Sequence, residues 1–519
     1  MKKIKGILIL LLFAVSCCAL FWLTGSRTPW TIFQQPDKTR GITVHLGDIP
    51  VENYDRMGFT KGQVQYVEPE DGWLVGTDRG ELFLFGQDGS QRWKRSLGVG
   101  KLVSLTLSPD GKTAYVGEVS AEGNLYAVDI HSGDIRWKYK GADYAGADAS
   151  QRSYPSVVHI VCDREGNVYA NIYRFLMDKE GHRGYNGRMI SVNPEGGLRW
   201  QFPKNEVIDS WINWCDVSDG SGTVVLSTSA YDFRPEMKYK ATMYFIDKDT
   251  GDQVGTTTVA PIPPFDNTVM RGSPNFSANG RYLAASASDG RGFLFTGDGK
   301  LLWERTLSKP TQVDGAWLNA SGRDGFALKE GVLFTTINTF NRENWQLPTP
   351  VEHPSNNSLF LFGTDGTYKF QYMAPGTMED LAFAKHYVAC AVGRNVRTHN
   401  YKAHGGLLVD LETGRAVSSF HTEGPCQAIA LNRDATLMAG VEAPALTPEG
   451  KIIGAYRLHI WKVAEGAVPA DTADSGAGSG NGKASGGWEN SPATGQAGNN
   501  DNTTGNTTGN YGARDGKGE

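Results

Sequence analysis

The chain of 519 residues carries 51 lysines and arginines against 56 aspartates and glutamates, so its formal net charge is −5. This near balance excludes the strongly basic surface that a nucleic-acid-binding domain needs. Hydrophobic residues make up 39% of the chain, and its 64 glycines and 13 tryptophans favour a turn-rich β protein whose sheets pack on aromatic rings.

An apolar segment opens the chain. Residues 6–24 contain no charge, and three lysines lie within residues 1–5. At 1.5 Å per residue such a helix is about 28 Å long, close to the thickness of a bilayer core. The lysines place residues 1–5 in the cytoplasm and the bulk of the chain outside it, because positive charge stays inside. We expect a single-pass signal anchor in the cell membrane. A cleaved signal peptide and a lipidated Cys17 or Cys18 are the alternatives.

Residues 25–40 read as a tether, and residues 41–466 as one β-propeller. Eight copies of one element recur there: an apolar strand, a turn with glycine, and a second strand. The turn glycines are Gly89, Gly133, Gly196, Gly251, Gly299, Gly366, Gly414 and Gly466. Their spacing of 44 to 67 residues is typical of one four-stranded blade per unit, with strands A to D running from axis to rim. Eight blades are therefore predicted, or seven if the weak last copy is only an appendage.

An aromatic residue follows the turn glycine by four positions in most copies. These residues are Trp93, Trp137, Trp200, Trp303 and Phe370. Because one blade cannot bury both its faces alone, we expect these rings to dock each blade on the next. The segment Gly41–Gly47 is an isolated strand before the first unit. It is predicted to close the ring as the outermost strand of the last blade.

The segment Ala127–Trp137 resembles the tryptophan-docking repeat of PQQ-type quinoprotein propellers, and the turns at Asp247–Gly251 and Asp410–Gly414 share its form. The hairpin at Ser108–Gly111 is similar to those of WD40-like and lactonase-like propellers. This resemblance covers roughly residues 60–465 and implies a closed all-β ring. Enzymes and non-enzymes share such repeats, so the resemblance predicts architecture rather than activity.

Quinoprotein dehydrogenases hold their cofactor with a vicinal disulfide and a calcium site. The only adjacent cysteines, Cys17 and Cys18, lie in the apolar segment, so no cofactor is expected. Cys162 and Cys215 are expected to be buried free thiols. The segment Asp247–Asp252 matches half a calcium loop but coincides with a blade turn, which favours a structural role. No nucleophile, phosphate-loop or metal motif is present in the sequence, so we expect no enzymatic activity.

Long insertions fall between strands B and C, and B–C and D–A connections share one face of a propeller. We call this side the inserted face; the opposite face has only tight turns. Function on repeat scaffolds usually sits on the inserted face, where aromatic and arginine side chains anchor ligands. The candidate binding residues are Arg174, His182, Arg183, Tyr185, Tyr231, Arg234, Arg342, Trp345, Arg394, Arg397, His399 and His404.

The sequence thus favours an anchored, non-catalytic scaffold outside the cytoplasm that binds a protein, a peptide or an envelope polymer. The alternative is a sensor for small ligands or glycans that uses the central funnel of the inserted face. A quinoprotein-type dehydrogenase or a lactonase-like enzyme is the third hypothesis. Residues 467–519 are rich in glycine, serine, asparagine and threonine, and are predicted to be a disordered tail.

Overall fold

The computed structural model describes residues 41–48, 62–98, 100–150, 153–177, 183–229, 241–341, 351–393, 403–446 and 450–463. Within these ranges the chain is almost entirely β-strand. The two helices are a 3-10 turn at Glu68–Glu70 and the single-turn α-helix α1 at Ala142–Ala145. None of the helices in the described ranges combines the length and apolarity that a membrane crossing requires. The predicted anchor, tether and tail lie outside the described residues.

The described strands fall into eight antiparallel groups of four, which we number sheets 1 to 8 in chain order, and the pair Ser156↔Val119 also joins sheets 2 and 3. Sheet 1 holds β2 (Gly62–Val67), β3 (Gly72–Thr77), β4 (Glu81–Gly86) and β5 (Gln91–Ser96); sheet 2 holds β6 (Lys101–Leu107), β7 (Thr113–Val119), β8 (Asn124–Asp129) and β9 (Ile135–Lys140); sheet 3 holds β10 (Ser156–Cys162), β11 (Val168–Met177), β12 (Arg183–Val192) and β13 (Leu198–Phe202); sheet 4 holds β14 (Trp211–Ser218), β15 (Thr223–Ser229), β16 (Thr242–Asp247) and β17 (Gln253–Thr258).

The second half of the chain continues the pattern. Sheet 5 holds β18 (Asn275–Phe276), β19 (Tyr282–Ala287), β20 (Arg291–Thr296) and β21 (Leu301–Thr306); sheet 6 holds β23 (Ala316–Ala327), β24 (Val332–Asn341), β25 (Ser358–Phe362) and β26 (Tyr368–Met373), with β22 (Thr311–Val313) added beside β23; sheet 7 holds β27 (Met378–Ala384), β28 (Tyr387–Val392), β29 (Gly405–Asp410) and β30 (Arg415–His421); sheet 8 holds β31 (Cys426–Leu431), β32 (Leu437–Glu442), β35 (Arg457–Lys462) and β1 (Gly41–His45). The short strands β33 (Ala445–Leu446) and β34 (Ile452–Ile453) form a hairpin between β32 and β35.

Sheet 8 joins the two ends of the propeller. Strand β1 runs antiparallel to β35, from the pair Gly41↔Trp461 to the pair His45↔Arg457. The outermost strand of the last sheet therefore precedes the first sheet in sequence, which is the pairing expected for Gly41–Gly47. A strand borrowed from the other end of the chain closes the ring without a gap.

Each sheet packs face to face on the next, and the apolar residues lie at these seams. The innermost strands β2, β6, β10, β14, β18 and β23 contact one another in turn, β27 contacts β31, and β31 contacts β2. Between β23 and β27, Arg323 donates to the carbonyl of Glu379. One apolar cluster joins Trp73 and Phe85 of sheet 1 to Ala428 and Leu458 of sheet 8. Each sheet therefore depends on its two neighbours to bury both its faces.

The turns between strands C and D are fixed by their polar residues. Asp247 Oδ1 accepts the backbone N–H groups of Asp249 and Thr250 at 3.0 and 2.8 Å, and Gly251 adopts φ of +71°. These hydrogen bonds hold the pKa of the Asp247 carboxyl below its usual value. The segment that resembles half a calcium loop is therefore a blade turn whose carboxylate caps its own backbone.

Candidate functional site

At the rim, tryptophans on strand D tie each sheet to the next one. The indole N–H donates to a carbonyl in the C–D turn of the following sheet, as expected for a polar group at the edge of a buried ring. The bonds join Trp93 to Ile130 (2.8 Å), Trp137 to Pro194 (3.0 Å), Trp200 to Lys248 (3.0 Å) and Trp303 to Thr364 (2.9 Å).

The rings of Trp93, Trp137 and Trp200 also cover the turn glycine of the next sheet, whereas the guanidinium of Arg305 covers Gly366 in place of Trp303. A Cβ at Gly251 would lie 2.6 Å from Cδ2 of Trp200, and a Cβ at Gly414 would lie 2.6 Å from Cγ of Phe370. Both glycines also adopt positive φ. Glycine is thus required for two reasons: it adopts the positive φ, and it has no Cβ to collide with the ring. Sheet 4 has Gly255 at the aromatic position, and there Phe245 covers Gly299 instead.

At the axis, a different set of bonds joins the sheets. At seven of the eight seams in the described ranges, a side chain on one innermost strand bonds a backbone group of the next innermost strand, whose edge would otherwise be unpaired. These bonds are Gln63 to Val103 O (3.4 Å), Ser104 to Val157 O (2.7 Å), Cys215 N–H to His159 (3.3 Å), Phe276 N–H to Asp216 (2.7 Å), Asn275 to Gly325 O (2.8 Å), Arg323 to Glu379 O (2.7 Å) and Ile429 N–H to Asp380 (2.9 Å).

Three of these axial groups titrate far from their usual range. Burial raises the pKa of Asp216 to about 7 and that of Asp380 to about 6, and burial lowers the pKa of His159 to about 4. Such shifts often mark catalytic groups. Here each of the three side chains accepts a backbone N–H from the neighbouring sheet, a bond that opposes the shift, so the shifted pKa is the consequence of burying a group that serves a structural bond.

The cysteines and possible metal ligands offer no reactive centre in the described ranges. Cys162, Cys215, Cys390 and Cys426 are free thiols. Burial raises the pKa of Cys162 to about 12 and those of the other three further, which suppresses the reactive thiolate. Across the described segments, no group of three or more histidines, cysteines, aspartates or glutamates is placed to hold a metal ion.

The candidate residues of the inserted face that the structure describes serve the fold. Tyr185 is 3% exposed, and its ring stacks on that of Trp211 with centroids 6.2 Å apart. Arg174 Nε donates to Ala145 O at 2.6 Å and so holds α1 against β11. His404 is 2% exposed, with Nδ1 3.3 Å from Glu423 O. These three side chains build the base of the inserted face, and they do not converge on one point.

The remaining candidates lie outside the residues whose side chains are described. Arg183 is the first residue of β12, and only its backbone is described. His182, Tyr231, Arg234, Arg342, Trp345, Arg394, Arg397 and His399 fall in connections that the structure does not describe. Their role in binding remains a prediction.

A cavity of about 500 Å³ lies at the opposite end of the axis, where the sequence analysis places only tight turns. The ends of β2, β27 and β31 form its wall, together with the A–B turns that follow them. Its lining includes Tyr66, Phe383, Lys385 and Arg433. Sequence reasoning missed this cavity because its wall joins segments more than 300 residues apart, and no repeat or motif marks them.

Comparisons with known proteins agree with this geometry. A family model described as PQQ_2, outer membrane protein assembly factor BamB, matches residues 55–207. The chain carries PQQ-like β-propeller repeats. The match spans sheets 1 to 3, and tryptophan docking of the PQQ-like type continues beyond it at Trp303. The resemblance stated from the sequence is confirmed.

Many solved structures are similar to the chain, among them a BamB and a Swd1 β-propeller domain. The crystal structure of BamB from Moraxella catarrhalis matches with a TM-score of 0.46 at 13% identity, covering 81% of this chain and 100% of that one. The Cps50 (Swd1) β-propeller domain of Myceliophteria thermophila matches with a TM-score of 0.43 at 12% identity, covering 82% of this chain and 100% of that one. No curated protein sequence matches this chain.

Proposed function

We propose that this chain is an eight-bladed propeller, anchored in the membrane by residues 6–24, that works outside the cytoplasm as a non-catalytic scaffold. Its inserted face binds a protein, a peptide or an envelope polymer. The observation that carries this proposal is the extended hairpin of sheet 3, whose strands continue past the sheet on the inserted face.

The extension is clear from the pairing. Strands β11 and β12 pair over ten positions, from Val168↔Val192 to Met177↔Arg183. The equivalent strands of sheet 2 pair over five, from Thr113↔Asp129 to Gly117↔Leu125. Five more residues at 3.3 Å each carry the hairpin roughly 15 Å further. Such a long ordered hairpin costs conformational entropy, which a binding role would explain.

The base of this hairpin is rigid. Tyr185 stacks on Trp211, Arg174 bonds Ala145, and the Tyr185 N–H donates to Asp209 Oδ1 at 2.7 Å. Because the base of the hairpin is already ordered, the tip loses little further conformational entropy when a partner binds. The tip therefore suits recognition of a macromolecular surface.

Two further facts support a scaffold over an enzyme. Asp216, Asp380 and His159, three buried groups whose pKa values are shifted, each accept a backbone N–H. The matching family model is that of an outer membrane protein assembly factor. By that likeness we propose a protein as the first class of partner to test, within the bacterial-type envelope that the family name implies.

Site-specific photo-crosslinking tests the proposal. A benzoylphenylalanine replaces Tyr231 or Trp345 on the inserted face of the full chain in its native cells, and Asp365 in a tight turn serves as the control. We expect a discrete adduct of the same mass from both inserted-face positions and none from Asp365. Equal labelling from all three positions would argue for non-specific contact and against the proposal.

A loss-of-binding variant provides the second test. The inserted-face variant R183A/Y231A/W345A/H399A is compared with the control D365N in the same cells. We expect the adduct and any growth phenotype of the wild type to disappear in the first variant and persist in the second. If the fourfold variant folds and keeps every adduct, the inserted face is not the binding site.

The proposed location outside the cytoplasm can be tested independently. Because burial raises the pKa values of the four described thiols, a new cysteine at exposed Ser90 should dominate labelling. We expect a membrane-impermeant maleimide to label S90C in intact cells or spheroplasts. Labelling only after lysis of the inner membrane would place the propeller in the cytoplasm.

A further inference from the structure

The cavity at the tight-turn end of the axis has a lining of mixed polar and apolar groups and carries uncommitted positive charge. Phe383 and Leu431 contribute to its wall, and Lys385 and Arg433 lie at its rim on the A–B turns of sheets 7 and 8. The volume of about 500 Å³ is in the range that small organic ligands occupy. This site is separate from the inserted face, which lies at the other end of the strands.

The acidic and phenolic groups around this cavity are already engaged. Asp380 accepts the backbone N–H groups of Leu381 and Ile429, both at 2.9 Å. Glu68 Oε1 accepts the backbone N–H of Arg433 at 3.2 Å. The hydroxyl of Tyr66 donates to Asp71 and accepts from Gln87. These hydrogen bonds link neighbouring segments of the wall, and Glu68 places a carboxylate beside Arg433.

The cationic groups are not engaged in the same way. Within the described ranges the guanidinium of Arg433 has no hydrogen-bond or ion-pair partner, whereas Arg95 and Arg305 on the rim strands bond turn carbonyls of the next sheet. Lys385 Nζ lies 3.9 Å from Asp434 Oδ1, and both side chains are more than half exposed, so this pair is weak. The hydrogen-bond donors still available to a ligand at this cavity are therefore the positively charged groups of Arg433 and Lys385.

We propose that this cavity binds a small organic anion with an apolar body. Its carboxylate contacts Arg433 and Lys385 at the rim, and its aromatic or aliphatic part lies against Phe383 and Leu431. A guanidinium and an ammonium beside the apolar side chains of Phe383 and Leu431 match this class of ligand and disfavour a cation.

Isothermal titration calorimetry on the full chain tests the proposal with sodium 4-phenylbutyrate as the probe. 4-Phenylbutyramide is the matched compound, since it keeps the apolar body and lacks the charge. We expect the acid to bind about tenfold more tightly than the amide, because a charge-assisted hydrogen bond is lost. Equal affinity of the two compounds, or no binding of the acid, would overturn the proposal.

Two variants locate the binding. R433Q should lower the affinity for the acid about tenfold and leave the affinity for the amide unchanged. The control R281Q removes an arginine from the equivalent turn of sheet 5. Q65W fills the cavity from an exposed lining position and should abolish binding of both compounds. If R433Q and R281Q bind the acid equally well, or if Q65W binds as the wild type does while its unfolding midpoint is unchanged, the ligand does not occupy this cavity.

Discussion

The rim and the axis of this propeller hold the same sheets together by different means. At the rim, one residue type in one geometry recurs: an indole covers a glycine and donates to a turn carbonyl, as Trp93, Trp137 and Trp200 do. At the axis, six residue types at equivalent places bond the next strand, among them Ser104, His159 and Asp216. The repeated sequence element therefore specifies one packing contact at the rim, whereas the backbone groups at the edge of each innermost strand are hydrogen-bonded by a different side chain in each sheet.

The largest expected effect comes from removing a rim tryptophan. Trp200 is 7% exposed and fills the seam between sheets 3 and 4. We expect W200A to lower the free energy of unfolding by about 3–5 kcal/mol through lost burial and a cavity. W200F keeps most of the packing and loses the bond to Lys248 O, which should cost about 1 kcal/mol. Urea unfolding followed by circular dichroism measures both.

Trp303 sharpens this prediction, because it makes the same bond from a more exposed position. We expect W303A to cost about 2–3 kcal/mol, since less apolar surface returns to water. A loss in W303A as large as that in W200A would mean that the hydrogen bond, and not the burial, dominates the seam.

The glycine beneath the ring separates backbone strain from packing. Gly251 and Gly222 have φ of +71° and +66°, but a Cβ meets Trp200 only at Gly251 and meets nothing within 4 Å at Gly222. We expect G222A to cost about 1 kcal/mol for the left-handed backbone alone. G251A should cost about 1–3 kcal/mol more, because the ring must move. If G251A and G222A lose the same free energy of unfolding, the Trp200 ring moves aside without a measurable cost.

This contrast explains how much of the molecule the sequence predicts. The rim pattern is local, since the turn glycine and an aromatic four residues later lie on one hairpin, and it predicts PQQ-like repeats and an all-β ring. The axial bonds join residues some 40 to 60 positions apart, and no shared residue type marks them. Sequence also cannot tell that Tyr185, predicted to lie in a long connection, is on β12 and packs inside the protein, or that β2, β27 and β31 line one cavity. Those features depend on the closed ring.

The buried aspartates at the axis make stability depend on pH. The folded pKa of Asp216 is raised to about 7 and that of Asp380 to about 6, above the usual value of 3.8. The folded protein therefore holds protons that the unfolded chain releases, and the free energy of unfolding falls as pH rises from about 4 to 7. Each group contributes at most about 1.4 kcal/mol per pH unit.

His159 acts in the opposite direction, because its folded pKa is lowered to about 4 from 6.5. Its contribution rises with pH between about 4 and 6.5. Thermal unfolding between pH 4 and 7 should show a net decline in stability for the wild type. That decline should become shallower in D216N, which does not titrate, and steeper in H159N. An unchanged slope in D216N would show that Asp216 does not hold its proton in the folded state.

The smallest expected effect tests a single axial bond without charge. Ser104 Oγ donates to Val157 O at 2.7 Å between sheets 2 and 3, and both atoms are buried. We expect S104A to cost about 1 kcal/mol, because the carbonyl loses its partner and the seam loses little area. The control S418A, on outer strand β30, removes a hydroxyl that bonds nothing in the described ranges and should be neutral. If S104A is neutral as well while W200A is not, the rim alone stabilises the ring, and the axial bonds only set the register of neighbouring sheets.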